Sequence, residues 1–220
     1  MWRLPMTDPV HETLGAVARS ATAREENGRM AFEIVAAREY NTGAADLWDA
    51  LTNPVRLEQW FLPVTGELQE GGNFQFEGNA GGEIRECAAP ASLVVTWGMG
   101  EDTSLVSLKL EEVAADCTRL TLEHTGKVAP EFWEQYGPGA VGIGWDMALF
   151  GAAEHLLPEP AVTRANAETW MMSDEGKSFS RESGAAWGEA AIAGGDEPAA
   201  AERAAATVIG FYTGETAPDA

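Results

Sequence analysis

The stretch GPGAVGIGWDMALFGAAEHLLPEP, residues 137–160, has the apolar spacing of one long helix, and the fold depends on what this helix packs against. Pro158 ends the helical pattern. Gly142 and Gly144 lie in its first turns, where glycine weakens a helix, so we expect a bend or a close approach to another backbone there. The apolar residues recur every three or four positions and line one face: Val141, Trp145, Leu149, Ala152 and Leu156.

Before this helix, the hydrophobic period is two, which is typical of strands with one buried face. Glycine-rich or acidic turns separate the alternating segments, and this arrangement predicts an antiparallel meander with one dry and one wet face. The segments are GNFQFEG (72–78), GGEIRECAAP (81–90), SLVVTWGMG (92–100), SLVSLKLEEV (104–113) and TRLTLEHTG (118–126).

The first 60 residues predict a hairpin followed by two short helices. Asn27-Gly28 favours a tight turn, because both central positions of that turn need positive φ. Asn53-Pro54 breaks a helical pattern into two pieces. The predicted elements are strands at about 14–24 and 30–40 and helices at 44–52 and 54–60.

The segment from 159 to 220 is rich in alanine and predicts helices only. One helix has Phe179, Trp187 and Ala191 inward and ends at Gly194-Gly195. A last helix follows, with Asp196 as a candidate N-cap, Pro198 in the first turn, and Val208, Phe211 and Tyr212 on its apolar face. Two such helices alone bury too little, so they must pack on the main domain or on a second copy as a homodimer.

Together these elements predict an α+β helix-grip fold, in which a curved antiparallel sheet wraps around the long helix and extra C-terminal helices follow. The expected organisation is an N-terminal segment with an added hairpin strand (1–29), the helix-grip domain (30–158) and a helical C-terminal extension (159–220).

The blocks WDALT (48–52), QWF (59–61), LVVTW (93–97) and LTLEHTG (120–126) occur in an order that resembles a known family. This is the activator-of-heat-shock-protein-90-ATPase-like branch of the START-like superfamily, also called SRPBCC or birch-pollen-allergen-like, in its bacterial and specifically actinobacterial form. The resemblance implies the helix-grip fold and a space between sheet and helix. It implies no single activity, because the superfamily includes lipid carriers, cyclases, dioxygenase subunits and co-chaperones.

An aromatic and aliphatic set is expected to line that space, because ligand pockets are mostly apolar and aromatic. The alternative is that these rings simply fill the core. The candidate lining residues are Trp60, Phe61, Phe74, Phe76, Trp97, Val106, Leu108, Leu122, His124, Phe132, Trp133, Tyr136, Val141, Trp145 and Leu149. His124 continues the inward phase of Leu122; it could orient a ligand or shuttle a proton, or it could be a structural histidine bonded at the end of its strand.

The chain is strongly acidic, with 35 Asp and Glu residues against 14 Lys and Arg residues and a formal net charge of −21. Such a surface repels phosphate backbones and anionic lipids, so neither nucleic acid nor membrane is expected as a partner. A secretory signal and a long apolar run are both missing, so we expect a cytoplasmic protein. Two cysteines make no disulfide framework.

No catalytic residue, metal ligand set or cofactor is predicted, because the sequence has no HExxH, CxxC or GxSxG motif and its three histidines are far apart. The leading hypothesis is a non-catalytic protein that binds a small hydrophobic or aromatic molecule. One alternative is a chaperone-interacting stress-response protein, implied by the resemblance alone. Another is a cyclase or dehydratase that uses His124.

Overall fold

The computed structural model describes residues 14–98 and 103–215. Within these residues, eight strands form a single antiparallel sheet. The strands are β1 (Ala18–Glu26), β2 (Arg29–Tyr40), β3 (Val64–Gly66), β4 (Asn73–Phe76), β5 (Gly81–Ala88), β6 (Ser92–Gly98), β7 (Thr103–Ala114) and β8 (Cys117–Val128). Their order in the sheet is β1-β2-β8-β7-β6-β5-β4-β3, so the hairpin β1–β2 lies beside the last strand.

Seven helices that lie wholly within the described residues pack on this sheet or follow it. They are α1 (Ala44–Thr52), α2 (Pro54–Trp60), α3 (Pro130–Tyr136), α4 (Gly139–His155), α5 (Ala167–Met171), α6 (Asp174–Gly194) and α7 (Pro198–Thr213). None of these helices is both long enough and apolar enough to cross a bilayer. The predicted α+β helix-grip architecture is confirmed, with α4 held against the concave face of the sheet.

Local sequence signals place the first elements. Asn27 and Gly28 have φ values of 55° and 75°, and their tight turn joins β1 and β2 as predicted, although β1 begins at Ala18 rather than at residue 14. Asn53 separates α1 from α2, since its side-chain oxygen accepts a hydrogen bond from the Val55 N–H. Both short helices have their predicted bounds.

The sheet has the predicted dry and wet faces. Leu110 pairs with Leu120, and Val106 pairs with His124, so these four side chains share the inner face and are buried. Lys109, one residue out of phase, is exposed on the other face.

Helix α4 is buried on two sides, whereas the sequence predicted one apolar face. The sheet contacts one side, and α6 and α7 cover the other. Gly142 explains part of this packing, because a Cβ there would lie 2.5 Å from Cε2 of Trp187 on α6. The expected close approach at this glycine is therefore to an indole ring rather than to a backbone. A Cβ at Gly144 would lie 3.5 Å from the Tyr212 hydroxyl oxygen, which is an ordinary van der Waals contact.

The C-terminal helices pack on the same chain. Phe179, Trp187 and Ala191 are buried as predicted, and Gly195 ends α6 with φ of 113°. Two details of the prediction were wrong for α7. Glu197 rather than Asp196 caps this helix, because the Asp196 carboxylate accepts a hydrogen bond from the Trp133 indole. Phe211, which was predicted on the apolar face, is 78% exposed.

Candidate functional site

A cavity of about 280 Å³ lies between the inner face of the sheet and helices α1, α2 and α4. For scale, a dry apolar cavity of about 150 Å³ is enough to bind benzene, so the space here suits a molecule of roughly two rings. The residues that line it are Trp48, Leu51, Thr52, Leu57, Trp60, Phe61, Val64, Leu68, Gln69, Phe74, Phe76, Ile84, Cys87, Leu93, Val95, Trp97, Val106, Leu108, Leu120, Leu122, Trp145, Ala148, Leu149 and Ala152.

Aromatic rings form much of the cavity wall and pack against one another. The ring centroids of Trp97 and Trp145 are 5.0 Å apart, and those of Phe61 and Phe76 are also 5.0 Å apart in a T-shaped contact. Two of the indole N–H groups are already used: Trp60 donates to the Ala50 carbonyl, and Trp145 donates to His124. The interior therefore presents mainly ring surfaces and aliphatic carbon.

Ten of the candidate residues line this cavity. They are Trp60, Phe61, Phe74, Phe76, Trp97, Val106, Leu108, Leu122, Trp145 and Leu149. Sequence reasoning missed Val95 and Leu120, which share the strand phase of Trp97 and Leu122, and Ala148 and Ala152, which follow Trp145 at helical spacing. It also missed Trp48 and Leu51 of α1, although their helical spacing predicted that helix, and it missed the β3–β4 loop, for which the sequence carries no periodic signal.

The other five candidates, His124, Phe132, Trp133, Tyr136 and Val141, do not line the cavity. Trp133 is occupied elsewhere: it stacks on Phe32 and donates to Asp196. Phe132 packs on Tyr136 in α3 and is 42% exposed. Helix α3 lies beside β2 and α7, away from strands β4 to β6, and this position removes its rings from the cavity.

His124 is buried behind Trp145, and both of its ring nitrogens have partners. Its Nδ1 accepts the Trp145 indole N–H at 3.0 Å, and its Nε2 lies 2.7 Å from Ser104 Oγ. Because an indole can only donate, the neutral ring carries its proton on Nε2 and donates it to Ser104. Ser104 in turn donates to the Trp97 carbonyl. His124 therefore holds the positions of two cavity tryptophans, and its ring does not face the cavity.

Protonation of His124 is expected to destabilise the fold. Burial lowers the pKa of His124 from 6.5 to about 4. Between these two values the unfolded chain binds a proton that the folded chain does not, so this residue makes the free energy of unfolding fall by about 3 kcal/mol as pH drops from 7 to below 4. Urea unfolding across this range should show the loss, and His124→Gln should flatten that part of the profile.

His155→Gln is the matched control for this pH profile. Burial also lowers the pKa of His155, which accepts a hydrogen bond from Arg56 Nε, but its side chain is only half-buried at the end of α4. We expect the His155 variant to keep most of the pH dependence. A profile that is equally steep in wild type and His124→Gln would contradict the assignment.

Metal chemistry has no support in the described residues. Within 14–98 and 103–215, no three or more His, Cys, Asp or Glu side chains are arranged so that they could hold an ion. The buried Asp146 carboxylate is fully engaged by Arg19, Ser183 and Trp187. Burial raises the pKa of Asp146, and the Arg19 guanidinium and these hydrogen bonds oppose that rise.

Comparisons with known proteins find a matching family model and similar solved structures. Residues 41–154, just over half of the chain, match the family model of activator of Hsp90 ATPase homolog 1-like proteins. The crystal structure of CalU16 from Micromonospora echinospora is 31% identical, with a TM-score of 0.61, over 80% of this chain and 98% of that one. Its solution structure is 33% identical, with a TM-score of 0.64, over 81% and 97%.

A more distant likeness is to PFC0360w, an HSP90 activator from Plasmodium falciparum. It is 27% identical, with a TM-score of 0.39, over 44% of this chain and 72% of that one. A search of curated proteins found no significant match.

Proposed function

The chain belongs to the activator of Hsp90 ATPase homolog 1-like family, and we propose that it binds a small apolar or aromatic molecule in the cavity between its sheet and α4. The observation that carries the proposal is an unfilled space of about 280 Å³ whose wall is almost entirely apolar. A core built only for stability is packed without room for a molecule of this size, since voids of that volume cost stability.

The wall is also held in place, which favours binding. The Trp60 indole is fixed by the Ala50 carbonyl, and the Trp145 indole is fixed through His124 and Ser104. A ligand that enters a preformed cavity loses less affinity to the ordering of side chains than one that must organise its site.

Filling the cavity should abolish binding. Ala148 lines the cavity from α4, so Ala148→Phe places a phenyl ring in the space. We expect at least a tenfold loss of affinity for 2-naphthylmethanol, a two-ring probe, measured by isothermal titration calorimetry. Native mass spectrometry of freshly purified protein should show a retained small molecule in the wild type, and less of it in this variant.

The matched control is Ala185→Phe, which makes the same change at an exposed position of α6. This variant should bind the probe as the wild type does. The proposal fails if the wild type neither binds the probe nor retains a molecule, or if Ala148→Phe binds as tightly as Ala185→Phe.

The two alternative functions have less support. An enzyme that uses His124 needs a ring that reaches the cavity, whereas this ring lies behind Trp145 with both nitrogens hydrogen-bonded. A chaperone-interacting role rests on the family description, and no particular surface of residues 14–98 and 103–215 adds to it. Addition of the protein to an Hsp90 ATPase assay would test it, and an unchanged rate would exclude activation.

A further inference from the structure

The polar groups of the cavity wall are unevenly placed. Of the described residues that line it, three have a side chain with a hydroxyl, amide or thiol: Thr52, Gln69 and Cys87. The hydroxyl hydrogen of Thr52 is already donated to the Trp48 carbonyl. Among the described residues, the side-chain amide of Gln69 has no hydrogen-bond partner. Because an indole N–H can only donate, Gln69 is the lining side chain with free groups that can both donate to and accept from a bound molecule.

Gln69 and Cys87 are exposed, as is their neighbour Leu68, so these three residues mark the rim of the cavity. The opposite end is aromatic and half-buried. Cys87 pairs with Leu93 of β6, and Trp97 lies four residues further along that strand, about 13 Å away at the usual rise of a strand. The cavity therefore has an apolar aromatic end and a rim end that can form hydrogen bonds.

The loop that carries Gln69 is fixed against β5. The backbone N–H of Gly71 donates to the Ile84 carbonyl at 2.8 Å, and the Ile84 N–H donates to the Gly72 carbonyl at 2.9 Å. Glu70 reaches the Cys87 N–H with its carboxylate. Gly72 has no room for a side chain, because a Cβ would lie 2.0 Å from the Glu67 carbonyl oxygen. The rim is therefore a preformed edge rather than a loose loop.

The charges near the rim are negative. Glu67 and Glu70 flank Gln69 in the loop, and Glu86 precedes Cys87. Among the described residues, no Lys, Arg or His lines the cavity, and the nearby Arg85 is paired with Glu83. A carboxylate at the rim would meet like charge, and a carboxylate inside would lose its hydration without a partner, so both positions disfavour an anion.

We propose that the cavity takes its ligand in one orientation, with the ring system against Trp97 and Trp145 and a neutral or cationic hydrogen-bonding end at Gln69. The ligand class is an aromatic molecule with a single polar group, either uncharged or cationic, at one end of its ring system. Carboxylates of the same shape are rejected. This inference rests on the proposed function.

Three probes with one ring system test it on the full chain by calorimetry: 2-naphthylmethanol, 2-naphthylmethylammonium and 2-naphthoate. We expect the alcohol and the ammonium to bind wild type at least tenfold more tightly than the carboxylate. Gln69→Ala should weaken the alcohol by about three- to tenfold, the usual range for a lost hydrogen bond. Gln69→Lys should reverse the preference and favour 2-naphthoate, while Gln135→Lys, on the exposed face of α3, should leave the wild-type order unchanged.

The outcomes separate the two proposals. If none of the probes binds, the proposed function itself fails. If 2-naphthoate binds wild type as tightly as the alcohol, the cavity binds molecules but the charge preference is overturned. If Gln69→Lys leaves the order of the three probes unchanged, the polar end of the ligand does not lie at the rim.

Discussion

Replacement of Asp146 with alanine is expected to lower the free energy of unfolding by about 3–5 kcal/mol, the usual cost of breaking a buried ion pair by removing one partner. The Asp146 side chain is fully buried, and its Oδ2 accepts hydrogen bonds from Arg19 Nε at 2.9 Å, from the Ser183 hydroxyl and from Trp187 Nε1 at 3.0 Å. Without the carboxylate, the Arg19 guanidinium stays buried with no counter-charge: its Nη1 still donates to two backbone carbonyls, but its Nη2 already has no partner.

The control is Glu39→Ala, which breaks the ion pair between Glu39 and Arg119. These two side chains are 50% and 46% exposed, and exposed pairs contribute at most about 1 kcal/mol. Urea unfolding at pH 7, followed by circular dichroism, measures both variants. Equal losses in the two variants would mean that the Asp146 network contributes no more than a surface pair.

Trp187→Ala is expected to cost a similar amount, about 3–5 kcal/mol, because it deletes a large, fully buried side chain. The Trp187 ring fills the space above Gly142 of α4, where a Cβ would lie 2.5 Å from the indole. Its removal leaves a void between α4 and α6 and takes one donor from Asp146. The loss should appear as a lower midpoint in urea or thermal unfolding.

Phe211→Ala is the matched control, an aromatic truncation on neighbouring α7 at a position that is 78% exposed. We expect its effect to stay within about 0.5 kcal/mol. Because Trp187 and Asp146 join α6 to α4 and β1, the sheet and the C-terminal helices should unfold in one transition. A separate early transition of the helices in the wild type would contradict this coupling.

Several elements of this fold are determined by residues that are adjacent in sequence. Asn27-Gly28 makes a tight turn because its two residues tolerate positive φ, and Asn53-Pro54 separates two helices because Asn53 caps the second. The alternation of Phe74 and Phe76 with polar residues likewise decides which side of β4 is buried. Each of these signals acts over a few residues, so the sequence alone is enough to predict the turn, cap or buried face that it produces.

The cavity could be predicted only where it follows such local phase. Trp97, Leu122 and Trp145 line it because strand alternation and helical spacing point them inward. His124 has the same phase as Leu122, yet Trp145 covers it and uses its Nδ1. Strand alternation and helical spacing determine on which face of an element a side chain lies. The residue that covers that face comes from another part of the chain.

The sequence by itself determined the order of the elements, the apolar faces of the strands, the helix-grip architecture and the acidic surface. Only the tertiary structure decided that α6 buries the second side of α4 through Asp146, that α3 stays away from the cavity, and that Gln69 stands at its rim. The physical reason is the separation in sequence of the residues that interact. Turn geometry and periodicity depend on adjacent residues, whereas a cavity and a buried ion pair depend on side chains that are distant in sequence, such as Arg19, Asp146 and Ser183, and meet only when the chain has folded.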